Sequence, residues 1–210
     1  MLLKLKQAVV GQKDLRRSDR WIFGTMALSA SLSLIAAFAL SVDAIQLAKN
    51  PDAILNCNLN AVINCATVNK TPEASLFGFP NSFLGLVSEP IVLTVALAGL
   101  MGVRFPRLFM FTAQIFYTLG LVFALWLFQD SVFYIGALCP WCLLVTVSTI
   151  VVFSSLLRYN LRENNLFLSE KYHKKMLSFI HKDYDTLLTA SVIFSMAALI
   201  IVKYGDGLFG

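Results

Sequence analysis

The residues Cys139-Pro140-Trp141-Cys142 form a C-x-x-C pair, and a second pair of cysteines, Cys57 and Cys65, stands far upstream. A thiolate is a nucleophile, and two residues between cysteines at a helix start let a disulfide close over one turn. The helix N-terminus favours the thiolate and draws its pKa below the free value of about 8.5. Pro140 has no N–H to donate, which a first helical turn tolerates and a helix interior does not. The helix is therefore expected to begin near Gly136 to Cys139. Other chemistries use the same residue types. Static disulfides or small buried thiols are one, and a four-cysteine zinc site is another, disfavoured beside lipid. Haem attachment requires His after the second cysteine; residue 143 is Leu, so that chemistry is excluded and no metal is expected.

The elements carrying these residues are apolar throughout. With 58% hydrophobic and 14% charged residues, the chain holds about half the charge of a soluble domain; its mean hydropathy is +0.72. A bilayer core about 30 Å thick is spanned by roughly 20 apolar residues. Five runs reach that length, at 21–42, 81–103, 107–128, 132–157 and 187–204. Runs so long satisfy their backbone groups in lipid only as helices. The expectation is an all-α polytopic membrane protein with five transmembrane helices, residues 1–210 forming one membrane domain. The first run is too long for a cleavable signal and reads as a permanent span.

The net charge of +5 follows topology rather than a nucleic-acid partner. Of the 17 Lys and Arg, all but Lys49, Lys70 and Lys203 fall in the arm 1–20, the turn 104–107 or the segment 158–186. Alternating spans place these three basic segments on one side, which the positive-inside rule assigns to the cytoplasm. The N-terminus is then inside, the C-terminus outside, and the protein a multi-pass plasma-membrane protein. All four cysteines fall toward the outer, oxidising face, where disulfides persist. The outer connection 43–80 is long enough to be functional, and its apolar residues suit folding against the membrane face. A short helix is expected after Pro51, a tight inside turn at 104–107, and a tight outside turn at Gln129-Asp130-Ser131.

Thiol–disulfide exchange passes electrons between sulfurs through mixed disulfides. Two pairs in one chain make a relay, the loop pair meeting a soluble protein and the embedded pair a lipid-soluble acceptor such as a quinone. The full order is a loop cysteine pair, the Thr71 hydroxyl, the segment Phe77-Gly-Phe-Pro-Asn-Ser-Phe-Leu-Gly85, and a late C-x-x-C. This order resembles the vitamin K epoxide reductase family in its bacterial disulfide-forming branch, over residues 20–160. The quinone-coupled oxidases of the DsbB type carry the C-x-x-C in the first outer loop instead, on four spans.

The resemblance implies a four-helix bundle around a quinone pocket, capped by the loop, with a fifth helix beside it. It implies that Cys57 takes electrons from an extracytoplasmic thioredoxin-like (DsbA-like) partner in trans. Cys65 then attacks Cys139 and frees Cys142 to face a menaquinone, ubiquinone or vitamin K-type quinone. Asn81 would donate to a quinone oxygen, where an amide suits developing negative charge. Phe77, Phe79, Phe83 and Leu84, with Thr71, would line the pocket, although apolar residues at such helical spacing more often serve packing. Asn81 equally fits a helix N-cap. Thr71 stands where the family typically has Ser, and Thr146 where animal members have Tyr, which argues against epoxide reduction. Glu89 is an intramembrane acid, a residue class commonly tied to function, while its place beside Pro90 near the outer end equally suits a solvated or hydrogen-bonded structural role. His173 and His181 fall on the cytoplasmic side, so the outer site must run on thiolates. Many bacterial relatives carry a fused thioredoxin-like domain after the fifth span; here a separate partner is expected. The resting pairing stays open between Cys57–Cys65 and Cys65–Cys139. Alternatives are a vitamin K epoxide or quinone reductase, and a non-catalytic membrane scaffold with static disulfides.

Overall fold

The five apolar runs form five helices long and apolar enough to cross a bilayer in the computed structural model, which describes residues 2–209. In chain order the helices are α1 (Leu2–Lys49), α2 (Cys65–Asn69), α3 (Ser82–Leu100), α4 (Arg107–Asp130), α5 (Pro140–Arg162), α6 (Glu170–His181) and α7 (Tyr184–Phe209). Among the described residues there is no strand, only an isolated parallel bridge between Ile63 and Leu138. The protein is an all-α polytopic membrane protein. The side chains of residues 1–18, 206 and 208–210 lie outside the described residues, and with them Lys4, Lys6, Lys13, Arg16 and Arg17 of the basic arm; its backbone from Leu2 onward continues into α1.

Helices in lipid gain no hydrophobic drive from pairing and instead rely on close packing through small residues. The α1–α3 seam follows that rule rung by rung. Ser41 donates to Ser82 at 2.9 Å, and Ser33 donates to Glu89 at 3.0 Å. Between them Gly85 approaches Ala37 so closely that a Cβ would sit 2.8 Å from the Ala37 methyl. Further along, Gly99 lies against the Phe23 ring. Glu89 is 4% exposed and also receives the Tyr117 hydroxyl at 3.4 Å. One buried acid thus ties α1, α3 and α4 together, which is the hydrogen-bonded role its neighbours allow. α5 packs along α1 and α4, and α7 lies against α4 and α5 through Met196, Phe128 and Ile150.

Polar contacts gather one end of the bundle. Arg162 pairs with Asp19, and Arg104 with Glu163 at 3.4 Å. Arg158 reaches Asp183 at 2.7 Å and Asp185 at 3.2 Å. Arg107 donates to the Asn164 carbonyl at 2.5 Å and covers the Phe167 ring. The segments 104–107 and 158–186 therefore share an end, and the cysteines lie at the other.

Three boundaries differ from expectation. The polar trio Gln129-Asp130-Ser131 is not a turn: α4 runs through Asp130 and continues as a π-helical turn over Ser131–Ile135. The residues 132–135 thus complete the third span, anchored by the fully buried Val132 and by Ile135, which packs on the cysteine cluster, while Phe133 and Tyr134 face outward. The chain breaks at Gly136, whose φ of 74° suits a residue without Cβ, and α5 starts only at Pro140. α1 extends past residue 42 to Lys49, carrying Asp43 on a helix rather than a loop. The described residues show no helix directly after Pro51; the short helix is Cys65–Asn69.

The far end of α7 grips the π-helical turn. The Val132 carbonyl accepts from Lys203 Nζ and from the Tyr204 hydroxyl, each at 2.6 Å. Gly207 meets the loop at Val62, where a Cβ would lie 2.7 Å from the Val62 side chain.

Candidate redox site

Asparagine side chains, rather than helix, shape the segment 50–64. Asn60 Oδ1 accepts from the N–H groups of Val62 and Ile63 at 2.9 and 2.7 Å, and Leu59 N–H donates to the Ile63 carbonyl at 2.9 Å. Such local bonds give the backbone an alternative to helix, which is why the expected helix after Pro51 does not form. Asn64 caps α2 by accepting from Thr67 N–H at 2.9 Å, and Asn58 accepts from Ala66 N–H at 3.0 Å. The loop then docks on the turn before α5. Leu138 N–H donates to the Val62 carbonyl at 2.7 Å, and Asn64 N–H to the Leu138 carbonyl at 3.0 Å.

That bridge sets the register of the sulfurs. Cys65 follows Asn64 and Cys139 follows Leu138, and both side chains enter one apolar cluster with Leu40, Leu47, Leu55 and Ala137. Cys57 and Cys65 are joined by a disulfide with Cα atoms 5.7 Å apart. Cys139 and Cys142 are free thiols; Cys139 is buried and Cys142 partly so. The loop pair is sealed rather than displayed, with Cys57 8% exposed and Cys65 fully covered.

Cys139 is the N-cap of α5, its sulfur accepting from Cys142 N–H at 3.4 Å. The Cys142 thiol beside it, helped by the N–H groups of Cys142 and Trp141, holds the Cys139 thiol below its ordinary range against the opposing effect of burial. A lowered pKa means the thiolate is present at lower pH. Modification of Cys139 by N-ethylmaleimide in the reduced protein is therefore expected to set in at lower pH than for a free thiol. Cys142→Ala removes the donating thiol and should move that onset upward, as mass spectrometry across a pH series would show.

The remaining sequence candidates are held by contacts outside this cluster. Asn81 does not cap α3 with its side chain. Its Nδ2 donates to the Glu73 carbonyl at 2.6 Å and its Oδ1 accepts from Leu76 N–H at 3.3 Å, stitching the 3-10 turn Pro72–Ser75 to the start of α3. Thr71 donates to the Val68 carbonyl at 2.9 Å. Phe77, Phe79 and Phe83 stack in sequence, with Phe123 of α4 against Phe77, and Leu84 is exposed on α3. None of these is among the apolar residues packed on the cysteines. Thr146 donates to the Cys142 carbonyl at 2.9 Å. His173 and His181 lie on α6, away from the cysteine end.

One neighbour is not visible in the sequence. Asp43 Oδ2 lies 3.6 Å from Cys57 Sγ, and its carboxylate and the Cys57 and Cys65 sulfurs all fall within 4.8 Å of one another. As the first residue after an apolar run, Asp43 reads as the start of a loop and carries no sign of facing the sulfurs. The continuation of α1 to Lys49 puts it there.

A disulfide and a dithiol held together at one end of a membrane helix bundle define a membrane oxidoreductase. The profile described as the vitamin K epoxide reductase family matches residues 25–157, and the chain belongs to that family. The matched stretch contains all four cysteines; α6 and α7 lie beyond it. No curated protein matches the chain.

Proposed function

We propose that the protein oxidises a thioredoxin-like partner and passes the electrons to a quinone, supporting disulfide formation outside the membrane. The observation that carries this reading is the Ile63–Leu138 bridge, which registers Cys65 beside Cys139. The concentration of cations at the opposite end supports an extracytoplasmic side for the cysteines by the positive-inside rule.

The sulfur chemistry balances through mixed disulfides. A partner thiolate attacks Cys57 and expels Cys65; the partner's second thiolate then releases Cys57, leaving the partner oxidised and the loop pair reduced. The Cys65 thiolate attacks Cys139 of a Cys139–Cys142 disulfide, and Cys142 leaves with the electron pair. Cys57 closes on Cys65 and releases Cys139, whose charge the α5 N-terminus receives. The product of that last step has the sulfur pairing observed, a Cys57–Cys65 disulfide beside two free thiols.

The residues present fit a quinone. Asn81 spends one amide hydrogen on Glu73 and retains a second for a carbonyl, and Phe77, Phe79 and Phe83 offer stacked apolar rings. A bound quinone would supply the two-electron acceptor that returns Cys139 and Cys142 to a disulfide. In detergent, the purified protein should consume a short-chain quinone while oxidising a reduced thioredoxin-like substrate. Cys142→Ala should abolish quinone consumption, and full turnover in that variant would refute the assignment.

A further inference from the structure

Every exchange at Cys57 needs somewhere for a proton to go, and among the described residues the centre holds one side chain besides cysteine that can take it. Asp43 projects from the last turns of α1, half-buried, with Oδ2 3.6 Å from Cys57 Sγ. Its carboxylate makes no other hydrogen bond or ion pair among the described residues. The titratable groups facing it are Cys57 and Cys65 from the loop and Cys139 and Cys142 from the start of α5. No described cation neutralises it, and both histidines lie on α6 at the other end of the bundle. A carboxylate aimed at one sulfur of a reactive pair is placed to exchange a proton with that sulfur.

We propose that Asp43 is the general base for Cys57: its carboxylate takes the thiol proton as Cys57 closes on Cys65, and returns it when the disulfide reopens. This deepens the relay described above and rests on it for the identity of the attacked bond. In the closing step the Cys57–Cys65 bond forms and the Cys65–Cys139 bond breaks. The bonding pair leaves on Cys139, and the proton moves from Cys57 Sγ to Asp43 Oδ2. In the reverse direction Cys139 attacks Cys65, and Cys57 departs with the electron pair and receives the proton from Asp43. No further oxidant or reductant enters either step. The assignment also gives Asp43 a role that a merely electrostatic neighbour lacks, since a fixed negative charge beside Cys57 would by itself oppose thiolate formation.

The test uses the full-length protein in detergent, reduced and freed of reductant, then mixed with oxidant, quenched in acid, alkylated and mapped. In the first arm the oxidant is a short-chain quinone. Asp43→Asn should slow closure of Cys57–Cys65 about a hundredfold at neutral pH, within the usual range for general-base catalysis. The Cys65–Cys139 mixed disulfide should accumulate, while Cys139 and Cys142 are oxidised at the unaltered rate. Asp43→Glu, which keeps the base, should recover much of the closure rate. Raising the pH beyond the free thiol value of about 8.5 should shrink the Asn defect, because Cys57 then ionises unaided.

The second arm uses oxidised glutathione on protein carrying Cys139→Ala and Cys142→Ala, which needs no quinone and no relay. Asp43→Asn should there accumulate the Cys65–glutathione adduct, awaiting Cys57. Closure at the parent rate in this arm overturns the assignment of Asp43. Thiols that remain reduced with quinone, alongside the adduct in the glutathione arm, overturn the relay and leave Asp43 as the base.

Discussion

Cys65→Ala is expected to reduce partner-coupled turnover by about a thousandfold or more, as loss of a nucleophile in a concerted site does. Cys65 is the sulfur brought beside Cys139 by the docking of Val62 and Asn64 on Leu138. Cys57 sits on the other side of the disulfide, beside Asp43. Without Cys65 the two pairs are disconnected, yet each half keeps its own chemistry. The Cys139–Cys142 dithiol should still reduce one equivalent of a short-chain quinone, while Cys57, left as a lone thiol with no disulfide to exchange, should leave the reduced partner unoxidised. Rapid-quench counting of oxidised Cys139–Cys142 against steady-state partner oxidation separates these outcomes. Multiple turnovers with the partner in Cys65→Ala would show that electrons reach Cys139 by another route.

The largest stability effect is expected at Gly99. A Cβ there would lie 2.5 Å from the Phe23 ring, which is 2% exposed and held against Tyr159 at 4.9 Å between centroids. Neither ring can retreat without displacing α5, so a branched side chain must push α1 and α3 apart. Overpacking of this kind costs about 1–3 kcal/mol and sometimes more; Gly99→Val should fall at or above the top of that range. Gly120→Ala is the contrasting change, since nothing lies within 4 Å of its Cβ position on α4. There the gain in helix propensity, about 1 kcal/mol relative to Gly, is unopposed. Thermal unfolding in detergent should therefore move in opposite directions for the two variants. A Gly99→Val protein as stable as the parent would mean that the α1–α3 seam is looser than its contacts imply.

Much of this architecture is legible in the sequence because its causes are local or covalent. Spans follow from length and apolarity alone, and Cys-Pro-Trp-Cys carries its helix start in Pro140. What escapes is decided by contacts between distant segments. Gln129-Asp130-Ser131 reads as a turn, but the burial of Val132 keeps the chain helical and moves the break to Gly136. The asparagines at 58, 60 and 64 read as generic loop residues, whereas their side chains fix the path that lays Val62 on Leu138. Asn81 fits a cap by its position and instead binds the preceding turn. Asp43 depends on how far α1 continues, a length that apolarity alone cannot supply because Asp43, Gln46 and Lys49 interrupt the apolar run in its last turns.

The attachment of α7 changes how the redox centre should be thought of as a mechanical object. Its end touches both halves at once, the π-helical turn through Val132 and the docked loop through Val62. Yet α7 lies outside the stretch shared with the family. The shared part supplies the sulfurs, and a helix from the remainder of the chain braces them from the side. Transplanting residues 25–157 alone into another membrane scaffold would carry over every reactive atom and leave behind the strut that keeps them aligned.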